Sequence, residues 1–254
     1  MFFIILVIVD KIEEKLWSRV EKYKKIFELV PFVKIVFVCN SLSFGVVDDK
    51  SDIDLFIVTK KNGLFFARFI LVIIMSFLGI RRYNDNVAGR FCLSFFVDEE
   101  CMDLSKFSIK NDFYLLYWTQ KLVPIYGSKS VLNKFIKYNR WAFPDEIYIE
   151  DRYFELTGKG FFSRGVLGKF LEILWLPFHF LFGWILKYLQ IARARKKYAL
   201  LLDKQGTLVS DHVLKFHNND KRVFYRDVHL KKFGIHFSES NFLQVLKENR
   251  VKIY

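Results

Sequence analysis

The most constraining feature of the sequence is a polar turn set between two apolar strands, in the segment from Val33 to Thr59. This segment reads V-K-I-V-F-V-C-N-S-L-S-F-G-V-V-D-D-K-S-D-I-D-L-F-I-V-T, and its second strand begins with Asp52-Ile53-Asp54. Carboxylates two positions apart on a strand point to the same face of the sheet. Paired carboxylate oxygens suit Mg²⁺, which also keeps waters and recruits substrate phosphates. The pattern therefore predicts a metal site at Asp52 and Asp54, although a solvated strand end would show the same pattern.

The turn that precedes this pair indicates phosphate binding. Asn40 and Ser41 directly follow the first strand, and Asp52 comes after ten further residues. Backbone N–H groups in such a turn, together with the Ser41 hydroxyl, can face a phosphate. The turn and the carboxylate pair together thus favour a site for a metal ion and a phosphate over a solvated loop.

The same residues resemble the signature of the DNA polymerase beta-like nucleotidyltransferase superfamily. Its small members carry Gly-Ser, a spacer, and then Asp-hydrophobic-Asp-hydrophobic, which Ser41 and Asp52-Ile53-Asp54-Leu55 match in this chain. The resemblance covers about residues 10–100. It implies that the nucleotide is contacted by four residues of the segment: Asn40, Ser41, Gly45 and Ser51.

The resemblance also implies a fold and a reaction. The expected fold is α+β, with a mixed sheet, flanking helices and a mainly helical C-terminal region. The expected reaction transfers a nucleoside monophosphate from a nucleoside triphosphate to a hydroxyl acceptor of unknown identity. Asp52 and Asp54 would act as catalytic residues by holding Mg²⁺, with two ions if a third carboxylate is present and one if it is not.

Three positions depart from the family pattern. Asn40 stands where the family usually has glycine, and Phe44 stands where many small members have arginine. The predicted third strand, Arg90 to Val97, carries Ser94 where a third carboxylate is expected, and Asp98 or Asp103 could replace it only in another register. The alternative function is therefore a catalytically weak or inactive protein that binds nucleotide or nucleic acid, in one version at a membrane surface.

Charge and cysteine content narrow the partners and the compartment. The net charge of +13 suits a partner rich in phosphate, either a nucleic acid or an anionic membrane surface, and charge alone does not choose between them. The three cysteines are too few and too scattered for a disulfide framework or a zinc site. We expect free thiols and a cytoplasmic protein, with membrane association as the alternative.

Hydrophobic periodicity predicts the remaining elements of the N-terminal half. An apolar run of seventeen residues, Leu64 to Ile80, approaches the length of a membrane span, but its place between two strands favours a crossover helix. Further helices are predicted at Asp10–Leu29, Asp112–Tyr126 and Ser130–Tyr138. Proline and the absence of a clear period after Trp141 predict a domain boundary, which divides the chain into residues 1–145 and 146–254.

The C-terminal half contains a second long apolar segment, in residues 170–202. Its core has fourteen residues without a formal charge, and a basic cluster follows at Arg193, Arg195, Lys196 and Lys197. One interpretation is a buried or partner-facing helix, which Pro177 and Gly183 are expected to kink or break. The other is contact of residues 170–197 with an anionic membrane surface.

Overall fold

The computed structural model describes residues 2–143, 155–157, 159–160, 162–163, 165–197, 206–216 and 220–250. These residues form an α+β fold, in which one open mixed sheet is covered by helices on both faces. The predicted fold class is confirmed at this level.

The helices and strands are numbered in chain order. The helices are α1 (Phe2–Tyr23), α2 (Asn40–Ser43), α3 (Leu64–Phe77), α4 (Phe113–Gln120), α5 (Lys129–Tyr138), α6 (Val166–Lys197), α7 (Arg222–Phe233) and α8 (Glu239–Arg250). The strands are β1 (Val33–Cys39), β2 (Ile53–Thr59), β3 (Phe91–Asp98), β4 (Val123–Gly127), β5 (Phe162–Ser163), β6 (Thr207–Val209) and β7 (Val213–Phe216). Short 3₁₀ helices lie at Lys24–Leu29, Leu104–Phe107 and Arg140–Ala142.

The strands of the described chain lie in the order β5-β4-β1-β2-β3-β7-β6. β1 is antiparallel to both of its neighbours, whereas β2 and β3 are parallel. Parallel neighbours need a crossover connection, and α3 supplies it, as predicted for this apolar run. The Asp-x-Asp pair therefore begins one of the central strands of the sheet.

The alternation of side chains along the central strands builds two hydrophobic layers. Leu55 and Ile57 of β2 face the layer formed with α1, α3 and α6. Phe56 and Val58 face the other layer, which α4 and α5 cover. Asp54 precedes Phe56 by two positions, so the pleat places it on the face covered by α4 and α5.

The prediction of one helix from Asp112 to Tyr126 is wrong in its last part. α4 ends at Gln120, and Val123–Gly127 forms the fully buried strand β4, paired with β1. Pro124 has no N–H to continue a helix, and it lies opposite Phe37 of β1. Pairing with a central strand thus decides the conformation of a segment that local periodicity assigned to a helix.

The expectation that Pro177 and Gly183 would break their helix is also wrong, because α6 runs unbroken through both residues. The expected kink stays a prediction. A Cβ at Gly183 would lie 2.6 Å from Nδ1 of His179, so a larger residue there would displace the His179 ring. Among the described residues, α6 is the one helix long and apolar enough to cross a membrane. Of its most apolar stretch of 18 residues, 17% is buried.

The boundary predicted near residue 145 lies outside the described residues. Beyond it the described chain is mainly helical, with α6, α7 and α8. It also adds strands that the sequence did not indicate, since β7 pairs with β3 and β5 pairs with β4. Residues from both sides of the predicted boundary therefore build the same sheet.

Candidate functional site

The two predicted metal ligands lie together with a cysteine. Asp54 is opposite Cys39 on β1 and opposite Cys92 on β3. One potential ligand atom from each of Asp52, Asp54 and Cys92 lies within 4.8 Å of the other two. Cys92 is thus the β3 residue paired with Asp54, and Ser94, the expected occupant of this place, lies two positions further along the strand and hydrogen-bonds Cys92.

Each carboxylate has a polar partner. Arg82 donates a hydrogen bond from Nη1 to Oδ2 of Asp52 over 2.7 Å. The amide of Asn40 donates to Oδ2 of Asp54 over 2.8 Å, and its own oxygen accepts a hydrogen bond from Nε1 of Trp118 over 2.8 Å. Asn40 therefore connects the carboxylate on β2 to the tryptophan on α4 and fixes the orientation of both side chains.

Burial and like charge shape the electrostatics of the pair. Burial first, and then repulsion from Asp52, raise the pKa of Asp54 to about 7. Burial, and then repulsion from Asp54, also raise the pKa of the Cys92 thiol, which donates a hydrogen bond to the Asp54 carboxylate. A site where two carboxylates disfavour each other's charge gains stability from a divalent cation that neutralises them.

The turn after β1 has the backbone geometry that a glycine would usually supply. Asn40 has a φ of 58° and Gly45 a φ of 66°. Asparagine enters this left-handed region more readily than most side chains, so Asn40 adopts the backbone that a glycine would allow. Ser41 lines the adjacent cleft. The predicted phosphate contacts of Gly45 and Ser51 stay predictions: neither lines the cleft, and Ser51 exchanges hydrogen bonds of 2.8 Å with Asp48.

A cleft of about 450 Å³ opens beside Asp52 and Asp54, between the α2 turn, α4 and the C-terminal helices. One wall is aromatic. The ring of Phe44 lies 5.1 Å from that of Tyr117, and Tyr114 stacks on Tyr225 with ring centroids 5.5 Å apart. A wall of this kind offers flat apolar surface to a nucleobase. Phe44, the second departure from the family pattern, therefore contributes packing where an arginine would contribute charge.

Basic side chains also line the cleft. They are Lys215 of β7, Lys221 and Arg222, with Arg82 next to the carboxylates. Burial, followed by repulsion from Arg222, lowers the pKa of Lys215 to about 8. The cleft therefore combines aromatic surface that suits a base with positive charge that suits phosphates.

Asp54 also borders a second cleft, of about 520 Å³, on the side of α3. Its lining includes four basic side chains, which are Arg68, Arg81, Arg82 and Lys197. Asn40 and Asp54 line both clefts. The carboxylate pair thus lies between two basic depressions, an arrangement that suits a donor and an acceptor which both carry phosphate.

Neither of the two alternative carboxylates joins the pair. Asp98 lies at the far end of β3, fully buried, with Oδ2 2.7 Å from Nδ1 of His212. With Glu100 these residues form a separate group that could hold a metal ion. Asp103 caps a 3₁₀ helix by accepting a hydrogen bond from the N–H of Ser105. The register alternative raised for Asp98 and Asp103 is therefore wrong.

Several functional candidates were absent from the sequence interpretation. Arg82 lies in a polar loop, and nothing in the sequence of this loop indicates a contact with Asp52. The sequence predicts Cys92 only as a residue of the third strand. Trp118 lies 78 positions after Asn40, to which it donates a hydrogen bond. Lys215 lies 120 positions after Phe95, its partner in the sheet. The basic character of residues 215–222 was the one available signal, and it did not indicate which surface the cations face.

The chain was also compared with protein-family models, curated proteins and solved structures. None of the three comparisons finds a match.

Proposed function

We propose that the protein is a metal-dependent nucleotidyltransferase with a nucleotidyltransferase-like α+β fold. The observation that carries the proposal is the position of the Asp52 and Asp54 carboxylates, which lie within 4.8 Å of each other beside a cleft lined by aromatic and basic side chains. The order of strand, Asn-Ser turn, Asp-x-Asp strand and crossover helix agrees with the resemblance found in the sequence.

The residues present suit Mg²⁺. Two carboxylates supply hard oxygen ligands, and the raised pKa of Asp54, caused by burial and then by the Asp52 charge, supports a site that a divalent cation would stabilise. Asp52 and Asp54 would hold Mg²⁺, which would supply positive charge to stabilise the charge that develops on the phosphates of a nucleoside triphosphate during transfer. With a thiol in the third position, the group described here fits one ion rather than two.

The protein's own side chains would position the reactants. The wall formed by Phe44, Tyr114 and Tyr225 would stack the base, and Arg82 and Lys215 would attract the phosphates. Asn40 would hold Asp54 in place through its bridge to Trp118. The acceptor hydroxyl would then form a bond to the α-phosphorus and pass its proton to solvent water, as the bond from that phosphorus to the pyrophosphate oxygen breaks.

The second candidate function is nucleotide or nucleic-acid binding without efficient transfer. The observation that favours it is Cys92, whose thiol has a raised pKa and occupies the β3 position next to the carboxylates. A neutral thiol neither activates a hydroxyl nor holds a second Mg²⁺. In this version the same cleft would bind the nucleotide, but release of pyrophosphate would be slow or absent.

One experiment separates the two functions. Purified full-length protein is incubated with each labelled nucleoside triphosphate, Mg²⁺ or Mn²⁺, and RNA, protein or small-molecule acceptors, while nucleotide binding is measured by calorimetry. We expect metal-dependent label transfer that falls at least about a hundredfold in Asp52→Asn and Asp54→Asn, because each change removes a metal ligand. The matched control is Asp49→Asn, an exposed aspartate in the preceding loop, which should retain full activity.

The outcomes have distinct meanings. Transfer that is equal in the wild type and both variants contradicts the enzyme proposal. Nucleotide binding that requires Asp52 and Asp54, without transfer to any acceptor, supports the binding function instead. A variant with Cys92→Asp adds a third carboxylate, and a gain of transfer in it identifies Cys92 as the residue that limits catalysis.

A further inference from the structure

One face of α6 is held against the folded protein along most of its length. Glu172 forms an ion pair with Lys60 and accepts a hydrogen bond from the backbone N–H of Phe32. Two turns on, the ring of His179 packs 5.4 Å from that of Phe66 on α3. Gln190 accepts a hydrogen bond from Arg68 over 2.8 Å. These inward contacts fix the rotation of the helix about its own axis.

The opposite face of α6 carries large apolar side chains that point to solvent. Phe180 is 86% exposed, Tyr188 71% and Trp184 69%. Phe170, Ile173 and Leu181 are also more than half exposed. Their spacing of three and four residues places them on one stripe, roughly 100° wide, along the helix. Soluble monomers rarely expose contiguous apolar patches larger than a few hundred Å², so this stripe indicates an interaction surface.

The neighbouring helix α3 adds a second row of exposed apolar side chains. Its inward residues pack on the sheet, whereas Phe69, Ile73 and Phe77 follow one another at four-residue spacing and are exposed, Phe77 by 90%. α3 and α6 pack directly on each other through Phe66 and Trp175, whose ring centroids are 5.7 Å apart. Two adjacent helices on the same side of the sheet therefore present apolar side chains outward.

The charges of α6 surround this apolar surface. Lys169 is exposed near the start of the helix, and Arg193, Arg195 and Lys196 are exposed in its last turns. Glu172 is the only acidic residue in the helix sequence, and it faces inward, where it is 8% exposed. The outward surface is thus apolar in its middle and positively charged at both ends. That distribution complements the acyl region and the anionic head groups of a membrane surface.

We propose that α6, together with α3, docks the protein onto the surface of an anionic lipid bilayer, with α6 lying in the plane of the membrane. The inward contacts from Glu172 to Gln190 keep one side of α6 on the protein, so its outward stripe would enter the interface between head groups and acyl chains. The first cleft beside Asp52 and Asp54 lies on the face of the sheet covered by α4, so docking leaves that cleft accessible, whereas the second cleft lies beside α3 and the end of α6. This inference rests on α3 and α6 and is independent of the proposed enzyme activity.

Other occupants of the surface agree less well with the structure. A second copy of the chain would also carry a net charge of +13, and pairing α6 with α6 would bring basic helix ends towards each other. A membrane-spanning α6 would lose the ion pair of Glu172 with Lys60 and the hydrogen bonds of Gln190. Burial of an unpaired carboxylate in the bilayer is costly, which favours the in-plane arrangement.

The test is flotation of the full-length protein with vesicles. We expect it to float with vesicles of phosphatidylcholine mixed with phosphatidylglycerol and to bind vesicles of phosphatidylcholine alone more weakly. The variant Arg193→Glu/Arg195→Glu/Lys196→Glu should lose at least about tenfold in its partition coefficient on anionic vesicles, because each basic residue near the surface contributes. The matched control reverses three exposed lysines elsewhere, in Lys110→Glu/Lys137→Glu/Lys231→Glu, and should bind nearly as well as the wild type.

A second pair of variants tests the apolar stripe. Phe170→Ser/Phe180→Ser/Trp184→Ser should abolish flotation, whereas the same change at three exposed apolar residues elsewhere, Tyr138→Ser/Phe224→Ser/Ile235→Ser, should not. Thermal unfolding verifies that each variant is folded. If the apolar variant fails to fold, the charge variant still tests the proposal, because it leaves the apolar face unchanged. The depth of Trp184 in the bilayer is measured by quenching of its fluorescence with brominated lipids, taken as the difference between the wild type and Trp184→Phe. Bromine placed near the head groups should quench this fluorescence more strongly than bromine at the bilayer centre.

Four results would overturn the proposal. The first is a wild type that floats with neither kind of vesicle. The second is equal loss of flotation in the α6 variants and their controls. The third is strongest quenching at the bilayer centre, which would indicate a spanning helix. The fourth is a dimer in light scattering that the apolar variant converts to a monomer without any vesicle binding, which would identify a second copy as the occupant.

Discussion

At the scale of single residues, the site depends on Asn40. Its left-handed backbone closes the turn, its amide donates to Asp54, and its oxygen accepts from Trp118. A glycine at this position would permit the same backbone but would leave the carboxylate and the indole without this shared partner. Asparagine therefore fixes the Asp54 side chain in a way that a glycine could not.

The raised pKa of Asp54 predicts a pH dependence of stability in metal-free buffer. The pKa of an aspartate in the unfolded chain is about 3.9. Burial and the Asp52 charge raise the pKa of Asp54 in the folded protein to about 7. Between these values the folded state binds the extra proton, so this group stabilises the fold at low pH and its contribution is lost as the pH rises towards about 7. The melting temperature of the wild type, measured with a chelator from pH 5 to pH 8, should therefore fall relative to that of Asp54→Asn.

The control for this comparison is Asp49→Asn, which changes an exposed aspartate and should retain the pH dependence of the wild type. Identical pH profiles for the wild type and Asp54→Asn would show that Asp54 does not titrate in this range.

At the scale of elements, the sheet explains a segment that the sequence assigns wrongly. β4 is five residues long and buried throughout, and it contacts β1 along its length. Gly127 ends the strand with a φ of 142°, where an added Cβ would lie 2.7 Å from the carbonyl oxygen of Lys34 and 3.0 Å from Cα of Ile35. Both neighbours are backbone atoms of a central strand, so neither can move easily.

Gly127→Ala should therefore destabilise the protein by roughly 2–5 kcal/mol, through backbone strain together with overpacking. The matched control is Gly79→Ala, which also has a positive φ, of 63°, but has nothing within 4 Å of the added Cβ. Its cost should be limited to the conformational penalty of about 1–2 kcal/mol. Urea unfolding of both variants gives the comparison, and equal losses would mean that the close approach of β4 to β1 does not limit residue size.

At the scale of the whole molecule, a buried arginine connects the C-terminal helices to the rest of the fold. Arg222, at the start of α7, is 6% exposed. Its Nη1 donates to Asp112, the N-cap of α4, over 3.0 Å and to the carbonyl oxygen of Phe107 over 2.6 Å. Its Nε contacts Asp220. Arg222, which lines the first cleft, is thus positioned by the same ion pairs that attach α7.

Removal of this connection in Arg222→Ala should lower the free energy of unfolding by about 3–5 kcal/mol, because Asp112 would remain buried without its cationic partner. Hydrogen exchange should increase in α7 and α8 more than in β1 and β2. Arg226→Ala provides the control on the same helix, since Arg226 pairs with the exposed Asp227 and should cost less than about 1 kcal/mol. If both changes have the same small effect, α7 is held mainly by its apolar contacts.

The sequence by itself determined the parts of the protein that depend on neighbouring residues. The apolar runs of β1, β2 and β3, the crossover helix α3 and the Asp-x-Asp pair are set by side-chain periodicity and by turn residues a few positions away, so they could be predicted. The α+β class follows from these elements.

Only the tertiary structure decided what depends on contacts between distant segments. It made residues 123–127 a strand through pairing with β1, placed Cys92 beside Asp54 through the register of β3, and brought Lys215 to the cleft through pairing with Phe95. It also settled which face of α6 is covered. Register and face are properties of two segments at once, so no local pattern in either segment specifies them.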